Sequence, residues 1–369
     1  MNFGIIKETL KQNETYLIYG AGVVAYEIIV AVKELYNKIP KFILVTDRNK
    51  CKDTICNIDV ITPNELLINE WKLPILVATP EIYHGQICEE IRRFSKGKSE
   101  NIFYIDSHME YNFMSRYFKK KGDIVLLEQL EDEDINYKKT ASDSLTIYMA
   151  KSHKDSSLKN EYDIPPWIVQ VQAGADCTDR RMDIITDNTG ENISSKNPNY
   201  CELTVTYWAW KNQSNLYKGI CHYRRMLVLN ESDIYKCIKN DVDVILPLPF
   251  VCYPNATGQY KRYISENDIK SLKNALYDIS PEYLSVWDKV DDEPYFYNYN
   301  IFIAKENVFN EYSEWIFNVL RYAERYCESF TKKRQDRYAG YLGELLTTLY
   351  FVGNKEKLKI VHAKKIWMV

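Results

Sequence analysis

The chain has 369 residues, 46% of them hydrophobic, and a formal net charge of -3 at pH 7. This length predicts two domains, and the apolar content is ample for packed cores. The small negative charge gives no general electrostatic reason to bind nucleic acid, so no nucleic-acid partner is expected.

The nine cysteines contain no C-x-x-C pair, and the five histidines show no ligand spacing relative to them. A structural zinc site is therefore not expected, and free thiols are typical of a reducing cytosol. The N-terminus lacks the pattern of a signal peptide, and no apolar run approaches the roughly 18 residues of a membrane span. We expect a cytoplasmic protein that could lie at the inner face of the membrane.

Residues 1–110 alternate strand and helix patterns. An apolar strand runs into the turn GAGVVA, and a segment with helical periodicity follows. This turn stands where a Rossmann fingerprint belongs, and an acidic residue follows the second strand. The pattern predicts a small parallel-sheet, Rossmann-like domain whose candidate nucleotide-binding residues are Gly20, Gly22, Ala25 and Asp47.

This first domain resembles the small N-terminal nucleotide-sugar-binding domains of bacterial sugar acyltransferases, over about residues 15–107. Ligand binding and a purely structural role, such as holding two protomers together, both stay open. No catalytic Tyr-x-x-x-Lys or comparable dehydrogenase constellation follows the Gly20 turn. An NAD-dependent enzyme that modifies nucleotide sugars is nevertheless the alternative to the main hypothesis developed for the second domain.

Residues 111–143 are predicted to be a linker. A basic cluster is followed by the acidic run Glu131–Asp134, with little apolar periodicity and one short helix at Met109–Tyr117. The second domain is then 144–369.

The second domain opens with the apolar strand LTIYMAK and a further strand that leads to a Gly-Ala-Asp turn. Ligands of open α/β sheets bind beyond the carboxyl ends of the strands. Lys151, His153, Gly174 and Ala175 are therefore candidates for a donor-binding site.

The densest group of polar side chains runs from Asp187 to Arg225. Its loop DNTGEN supplies three further donor-site candidates, Asp187, Asn188 and Asn192. A buried helix is predicted to start at Asn197-Pro198, with a capping side chain and a proline at its first position.

Two apolar rows, one of which contains Val205 and Trp208, fill most of that helix. They leave Glu202 and Thr206 as a narrow polar stripe toward the donor site. A buried carboxylate is costly unless it is paired. Glu202 is predicted either to form a structural pair with an arginine of the next strand or to orient an arginine that binds phosphate.

The next strand continues into His222-Tyr223-Arg224-Arg225. Because side chains alternate along a strand, either His222 and Arg224 or Tyr223 and Arg225 are expected to face the ligand. The planar guanidinium suits a diphosphate and could offset the charge of a nucleoside-diphosphate leaving group. Both arginines are catalytic candidates, and His222 and Tyr223 are donor-site candidates.

The series DNTGENISSKNPNYCELTVTYWAWKN, followed by GICHYRRML, resembles a bacterial family of capsule and O-antigen glycosyltransferases with a minimal GT-A-like domain. The resemblance covers about Leu145 to the C-terminus. It implies transfer of a sugar from a UDP-sugar donor to a growing, lipid-linked surface polysaccharide. Some members are assigned as galactofuranosyltransferases, so galactofuranose is one candidate sugar.

Enzymes of the GT-A class usually hold a divalent metal with an Asp-x-Asp that ends a strand. The corresponding strand here ends in HYRR, so neither a metal ligand nor a cofactor is assigned. Asp241-Val-Asp243 does occur, but it opens a strand and is interpreted as a loop.

The C-terminal half supplies acceptor-site candidates. Tyr297, Asn298 and Asn300 belong to YFYNYN, where stacking on an acceptor sugar and simple packing are equal alternatives. The resemblance matches an Arg-x-x-Gly-x-x-x-Glu pattern to Arg337, Gly340 and Glu344, and Arg337 joins the acceptor candidates.

An inverting transferase needs a carboxylate to deprotonate the acceptor hydroxyl, and Glu344 and Asp336 are the candidates. The Gly- and Tyr-containing segment VCYPNATGQYKRYISENDIK is predicted to be a mobile cover. The tail KEKLKIVHAKKIWMV either lies against an anionic membrane or forms a last strand. A catalytically inactive assembly protein of a polysaccharide system is a third hypothesis for the whole chain.

Overall fold

The computed structural model describes residues 3–122, 124–131, 143–253, 255–292, 295–328, 334 and 336–368. The chain divides into two compact units, Met1–Ile124 (unit 1) and Val125–Met368 (unit 2). Both are mixed α/β structures built on largely parallel sheets.

Unit 1 contains six strands, with the order β3-β4-β2-β1-β5-β6. They are β1 (Tyr16–Tyr19), β2 (Pro40–Leu44), β3 (Thr54–Ile55), β4 (Ile58–Ile61), β5 (Ile75–Val77) and β6 (Ile102–Tyr104). The helices are α1 (Phe3–Gln12), α2 (Val23–Tyr36), α3 (His84–Ser95) and α4 (Ser107–Lys121). All neighbouring strands are parallel except β3 and β4. Without β3, the parallel strands follow the order 3-2-1-4-5, which is that of doubly wound nucleotide-binding sheets.

The start of the predicted linker is helical. Helix α4 extends beyond the expected Met109–Tyr117, and it packs on α2 of unit 1. Its buried side chains, which include Met109, Phe113 and Tyr117, recur at i, i+4 spacing within a lysine-rich sequence. The lysines masked that period at the sequence level. Residues 132–142 of the predicted linker, with most of its acidic run, lie outside the described residues.

Unit 2 is built on a sheet with the order β16-β12-β15-β10-β7-β8-β9, and β11 joins β10 to β17. The strands are β7 (Leu145–Lys151), β8 (Ile168–Gln172), β9 (Ile185–Thr186), β10 (Tyr217–His222), β11 (Arg225–Leu227), β12 (Val244–Pro247), β13 (Phe250–Val251), β14 (Tyr295–Phe296), β15 (Phe302–Lys305), β16 (Ile360–Ala363) and β17 (Lys365–Trp367). In the seven-strand path only β15 runs against its neighbours. The carboxyl ends of the other strands therefore share one edge of the sheet.

Eight helices occur in the described part of unit 2. They are α5 (Asn197–Tyr200), α6 (Leu203–Asn212), α7 (Glu231–Lys239), α8 (Ala256–Tyr260), α9 (Glu266–Ile279), α10 (Glu282–Asp292), α11 (Glu306–Glu328) and α12 (Tyr338–Gly353). Ile147 and Cys221 of the sheet share one core with Ile234 and Cys237 of α7. In another part of the core, Tyr148 of β7 packs edge-on against Trp208 of α6.

The helix predicted from Asn197 is interrupted at Cys201. Cys201 has φ +51° and ψ -128°, a conformation that L residues rarely adopt, and it separates α5 from α6. The Asn197 amide does not cap the helix start. It donates instead to the Cys201 carbonyl (2.8 Å) and to Thr204 Oγ1 (3.2 Å), which stabilises the break.

The C-terminal tail forms two strands of unit 2. β16 pairs with β12, β17 pairs with β11, and Met368 is buried. In the part of the chain that the structure describes, no helix is long and apolar enough to cross a membrane.

Candidate active site

Strand β10 ends in a hairpin. It stops at His222, Tyr223 and Arg224 form the turn, and Arg225 begins β11 as the cross-strand partner of His222. Directly opposed residues of an antiparallel pair project from the same face. The predicted alternation of ligand-facing side chains therefore does not hold, because it assumed one unbroken strand. His222 and Arg225 share a face.

Two aromatic rings hold Arg225. Its guanidinium carbon lies 3.8 Å from the ring centre of Tyr299 and 4.0 Å from that of Trp367. Its Nε is buried without a hydrogen-bond partner among the described residues. Burial lowers the pKa of Arg225, while Tyr299, Glu344 and Glu202 act in the opposite direction. The two rings are nearly perpendicular to each other, so they enclose the guanidinium from two sides. The unpartnered Nε is a donor that a ligand could accept from.

Glu202 precedes α6 and is only 9% exposed. Its Oε1 accepts a 2.8 Å hydrogen bond from Nδ2 of the buried Asn300. Burial raises the pKa of Glu202, while the Asn300 bond, Arg337 and Arg225 oppose that shift. The direct structural partner of Glu202 is therefore the Asn300 amide and not the expected arginine. Arg337 and Arg225 act on Glu202 through space.

The predicted polar stripe is only partly present. Thr206 is fully buried, and its hydroxyl donates to the Glu202 carbonyl at 3.5 Å. A donor-site role for Thr206 stays a prediction, and it would have to act through the backbone of the helix start.

Glu344 lies in the second turn of α12 and is partly exposed. Its Oε2 accepts from the Tyr260 hydroxyl at 3.3 Å, and the Tyr299 backbone N–H also donates to it. Burial, reinforced by Glu202, raises the pKa of Glu344 to about 8. This carboxyl is therefore mostly protonated at neutral pH and can exchange its proton in a mildly alkaline medium.

Arg337 stands directly before α12 with φ +49°. Its Nε donates to the Cys201 sulfur at 3.0 Å. Burial raises the pKa of Cys201 to about 12, so the thiol is neutral. The strained break at Cys201 thus anchors Arg337 beside Glu202.

His222 is neutral at physiological pH. Burial, followed by the charges of Arg225, Arg337 and Arg224, lowers its pKa to about 3. Its Nδ1 accepts the Arg224 backbone N–H at 3.4 Å, which assigns the ring proton to Nε2. His222 can therefore donate a hydrogen bond to an anionic ligand without adding charge.

Two donor-site candidates lie at the carboxyl end of β7. Lys151 Nζ donates to Gln170 Oε1 at 3.3 Å. The Nδ1 of His153 is buried and has no hydrogen-bond partner among the described residues. The Nε of Arg224 is buried and unpartnered in the same way. These unpartnered polar atoms lie after β7 and β10, which are adjacent parallel strands.

Asp155 was missed in the sequence. It is partly buried, and its Oδ2 accepts the Ser152 backbone N–H at 2.7 Å. Burial raises its pKa, while Arg224, Lys151 and Arg337 act to lower it. It therefore belongs to the same charged group, but no sequence pattern distinguished it from a surface residue in a polar loop.

Asp187 organises the loop at the ends of β8 and β9. It is fully buried, and its Oδ2 accepts from the Gly174 N–H (2.8 Å) and Thr204 Oγ1 (2.6 Å). Its Oδ1 accepts from the Ala175 N–H (3.0 Å) and Ser194 Oγ (2.5 Å). Direct contact between Asp187 and a ligand would require these bonds to break, so the geometry favours a positioning role.

The neighbouring loop residues are also bonded within the loop. Gly174 has φ +69°, and a Cβ there would lie 2.6 Å from the Asn197 side chain. Asn188 donates to Asp176 at 2.8 Å, and Asn192 donates to a loop carbonyl at 3.0 Å. Their roles in donor binding stay predictions.

The four acceptor-site candidates lie in different surroundings. The Tyr297 hydroxyl bonds His362 Nε2 at 2.8 Å inside the fold, which favours the packing alternative. Asn300 holds Glu202, and Arg337 reaches the same site. Asn298 has a buried Oδ1 without a partner among the described residues.

Of the two predicted bases, only Glu344 is grouped with Arg225. Asp336 is largely exposed and pairs with Arg334 at 2.5 Å, and Arg334 also pairs with Asp268. This arrangement gives Asp336 a structural partner at the surface.

In unit 1, Gly20 has φ +124°, and a Cβ there would meet the Ala78 carbonyl oxygen at 2.4 Å. Gly22 precedes α2 with open space around it, and Ala25 is buried in that helix. Asp47 accepts the backbone N–H two residues on, at 3.1 Å. The turn needs glycine for close packing of β1 and β5, whatever its ligand.

The described residues contain no group of three or more His, Cys, Asp or Glu side chains that could hold a metal ion. Asp241 and Asp243 both bind Lys305, at 2.5 and 2.8 Å. These two carboxylates form ion pairs with the Lys305 ammonium group, and this arrangement does not fit the metal site of the GT-A class.

Fold and site together define a mixed α/β protein with a cationic, carboxylate-containing site at the carboxyl edge of its second sheet. A family model described as "Domain of unknown function (DUF4422)" matches residues 146–355. This match spans more than half of the chain, and the protein belongs to that family. No curated protein matches it.

One solved structure, described as "WbbM bifunctional glycosytransferase apo structure", is similar with a TM-score of 0.51 and 24% sequence identity. The match covers 61% of this chain and 45% of that chain, so it spans less than half of the other protein. At this level of identity the likeness shows a shared fold.

Proposed function

We propose that unit 2 is a glycosyltransferase that moves a sugar from a nucleotide-sugar donor to a glycan acceptor. One observation carries the proposal: Arg225, which packs against the rings of Tyr299 and Trp367, interacts electrostatically with the carboxyls of Glu202 and Glu344. Such a site offers a cation for an anionic leaving group and a proton acceptor for an incoming hydroxyl.

The donor side is the β10–β11 hairpin. Arg224 and Arg225 would bind the two phosphates, because each has a buried Nε with an unmet hydrogen bond. The neutral His222 would donate its Nε2 proton to a phosphate oxygen. As the bond between the anomeric carbon and the phosphate oxygen breaks, negative charge would develop on the leaving group beside these guanidinium groups. In this proposal the guanidinium groups stabilise that charge in place of a metal ion.

The acceptor side is the start of α12. The acceptor hydroxyl attacks the anomeric carbon, and Glu344 takes its proton. A base of pKa about 8 is well matched to this task near neutral pH. Tyr260 and the Tyr299 backbone orient the carboxylate, and Asn300 keeps Glu202 beside it.

The finer assignment is a UDP-sugar donor, with galactofuranose as a candidate sugar, and a lipid-linked surface polysaccharide as acceptor. The resemblance of the Asp187–Leu227 segment to capsule and O-antigen glycosyltransferases supports it. The description of the WbbM structure as a glycosyltransferase agrees with the reaction class.

The test is release of UDP from UDP-galactofuranose, UDP-galactose and UDP-glucose by the full chain, with and without EDTA. We expect at least one donor to release UDP, at a rate that EDTA leaves unchanged and Arg225→Ala abolishes. Thermal shift with UDP checks donor binding separately. No release and no thermal shift from folded protein would refute the proposal.

A second candidate function is favoured by the 3-2-1-4-5 strand order of unit 1 and the close approach of Gly20 to Ala78. In this alternative, the Gly20 turn binds NAD and the protein modifies nucleotide sugars. Fluorescence titration with NADH decides it, because absence of binding removes the alternative.

A further inference from the structure

The segment from Ala256 to Tyr263 packs against the first turns of α12 through two side-chain contacts. Tyr260 donates to Glu344, and Tyr263 stacks on Tyr341 with ring centres 5.0 Å apart and planes at 15°. Tyr260 ends α8 and Tyr263 lies in the turn three residues later, while Tyr341 and Glu344 are three residues apart on α12. The predicted cover is therefore seated on α12 in this structure.

The segment is anchored at its other end as well. Asn255 caps α8 through the Gly258 N–H at 2.8 Å, and the Thr257 N–H donates to Asp291 at 3.3 Å. Trp287 Nε1 donates to both Thr257 (3.2 Å) and Asp291 (3.1 Å). These bonds tie α8, which ends three residues before Tyr263, to α10.

The stacked pair lies beside the proposed base. Tyr341 precedes Glu344 by three residues, so both lie on one face of α12, about 4.5 Å apart along the axis. Arg337 lies over the Tyr341 ring at 5.9 Å. Arg337, Glu344, Cys201 and Tyr263 all act electrostatically on the Tyr341 hydroxyl.

The Tyr263 ring of this stack is exposed to solvent. Arg337 and Tyr263 contact the Tyr341 ring, whereas Tyr263 itself is 55% exposed. A large aromatic ring held by packing loses little side-chain entropy when it binds a further flat, partly apolar surface. The C–H face of a sugar ring is such a surface, and the sugar hydroxyls can bond Arg337.

We propose that Tyr263, backed by Tyr341, is a subsite for the acceptor sugar next to the one that reacts at Glu344. This inference rests on the proposed glycosyltransferase function and adds that the acceptor is at least a disaccharide. The expected ligand is a sugar with an unbroken C–H face, such as a galactose residue.

The test is saturation-transfer NMR on the full chain with methyl β-galactopyranoside and with lactose, each in the presence of UDP. The variants are Tyr263→Ala, Tyr263→Phe and the control Tyr277→Ala, which removes a tyrosine of α9 that is 70% exposed. We expect Tyr263→Ala to bind lactose roughly three- to tenfold more weakly than wild type, with the other two variants unchanged.

Equal binding of lactose by wild type and Tyr263→Ala, or no binding by wild type, would overturn the subsite. A UDP thermal shift on the same samples separates the two claims. A shift that persists in Tyr263→Ala without an effect on lactose refutes only the subsite. No shift in wild type refutes the glycosyltransferase function as well.

Discussion

His222 and Arg225 are cross-strand partners at the two-residue turn between β10 and β11, and their side chains share one face of the sheet edge. This pairing places a neutral imidazole beside a guanidinium that two aromatic rings hold. The arrangement concentrates hydrogen-bond donors at one point while keeping one of them uncharged, which suits recognition of a diphosphate.

Arg225→Lys is expected to lower kcat/KM for the donor by roughly 10- to 100-fold, because an ammonium group lacks the flat surface that packs against Tyr299 and Trp367 and cannot bind phosphate with two parallel hydrogen bonds. Steady-state kinetics of UDP release measures this. The matched control is Arg180→Lys, an exposed arginine of the same unit. Equal losses in both variants would contradict the assigned role.

Glu344→Gln should lower the rate of transfer by roughly 10²- to 10⁴-fold, the usual contribution of a general base. In wild type the rate should rise with pH through an apparent pKa near 8, since the deprotonated carboxylate is the active form. The control Asp336→Asn should keep both rate and pH profile. A rate loss in Asp336→Asn but not in Glu344→Gln would contradict this assignment and identify Asp336 as the general base.

Tyr260→Phe removes a hydrogen bond that stabilises the Glu344 carboxylate. The pKa of Glu344 should rise further, so the alkaline-rising limb of the pH–rate profile should move to higher pH. Tyr263→Phe, one turn away, should leave the limb in place. If the limb stays unchanged in Tyr260→Phe, this hydrogen bond does not orient the base.

Asp187→Asn should destabilise unit 2 by about 1–3 kcal/mol, because an amide cannot accept all four of the bonds that Asp187 accepts. Denaturant unfolding measures the free energy. Asp183→Asn, an exposed carboxylate just before β9, is the control and should change little. An unchanged unfolding free energy in Asp187→Asn would argue for a ligand-binding role in its place.

Local patterns allowed much of the fold to be predicted. The strand-helix alternation and the Gly20 turn predicted the parallel sheet of unit 1, and the apolar helix rows predicted the burial of Val205 and Trp208. Local patterns failed where the backbone departs from them. Cys201 breaks a sequence that is helical on both sides, and the chain turns at Tyr223-Arg224, neither of which is a usual turn residue such as Gly, Pro, Asn or Asp.

The site itself depends on contacts between distant parts of the chain. Glu344, Arg225 and Glu202 were candidates individually. Their grouping follows from the packing of α12 against α5 and Leu203, which are distant from it in the sequence. Asp155 and Tyr260 were missed for the same reason: each looks like a surface residue until its partners across the fold are known.

The most direct test of the central claim is calorimetric titration of the full chain with UDP. We expect saturable binding that Arg225→Ala weakens at least roughly tenfold. Gly22→Asp, which places a carboxylate in open space at the start of α2 in unit 1, should leave it unchanged. Binding lost in Gly22→Asp but kept in Arg225→Ala, or no binding by wild type, would contradict the account.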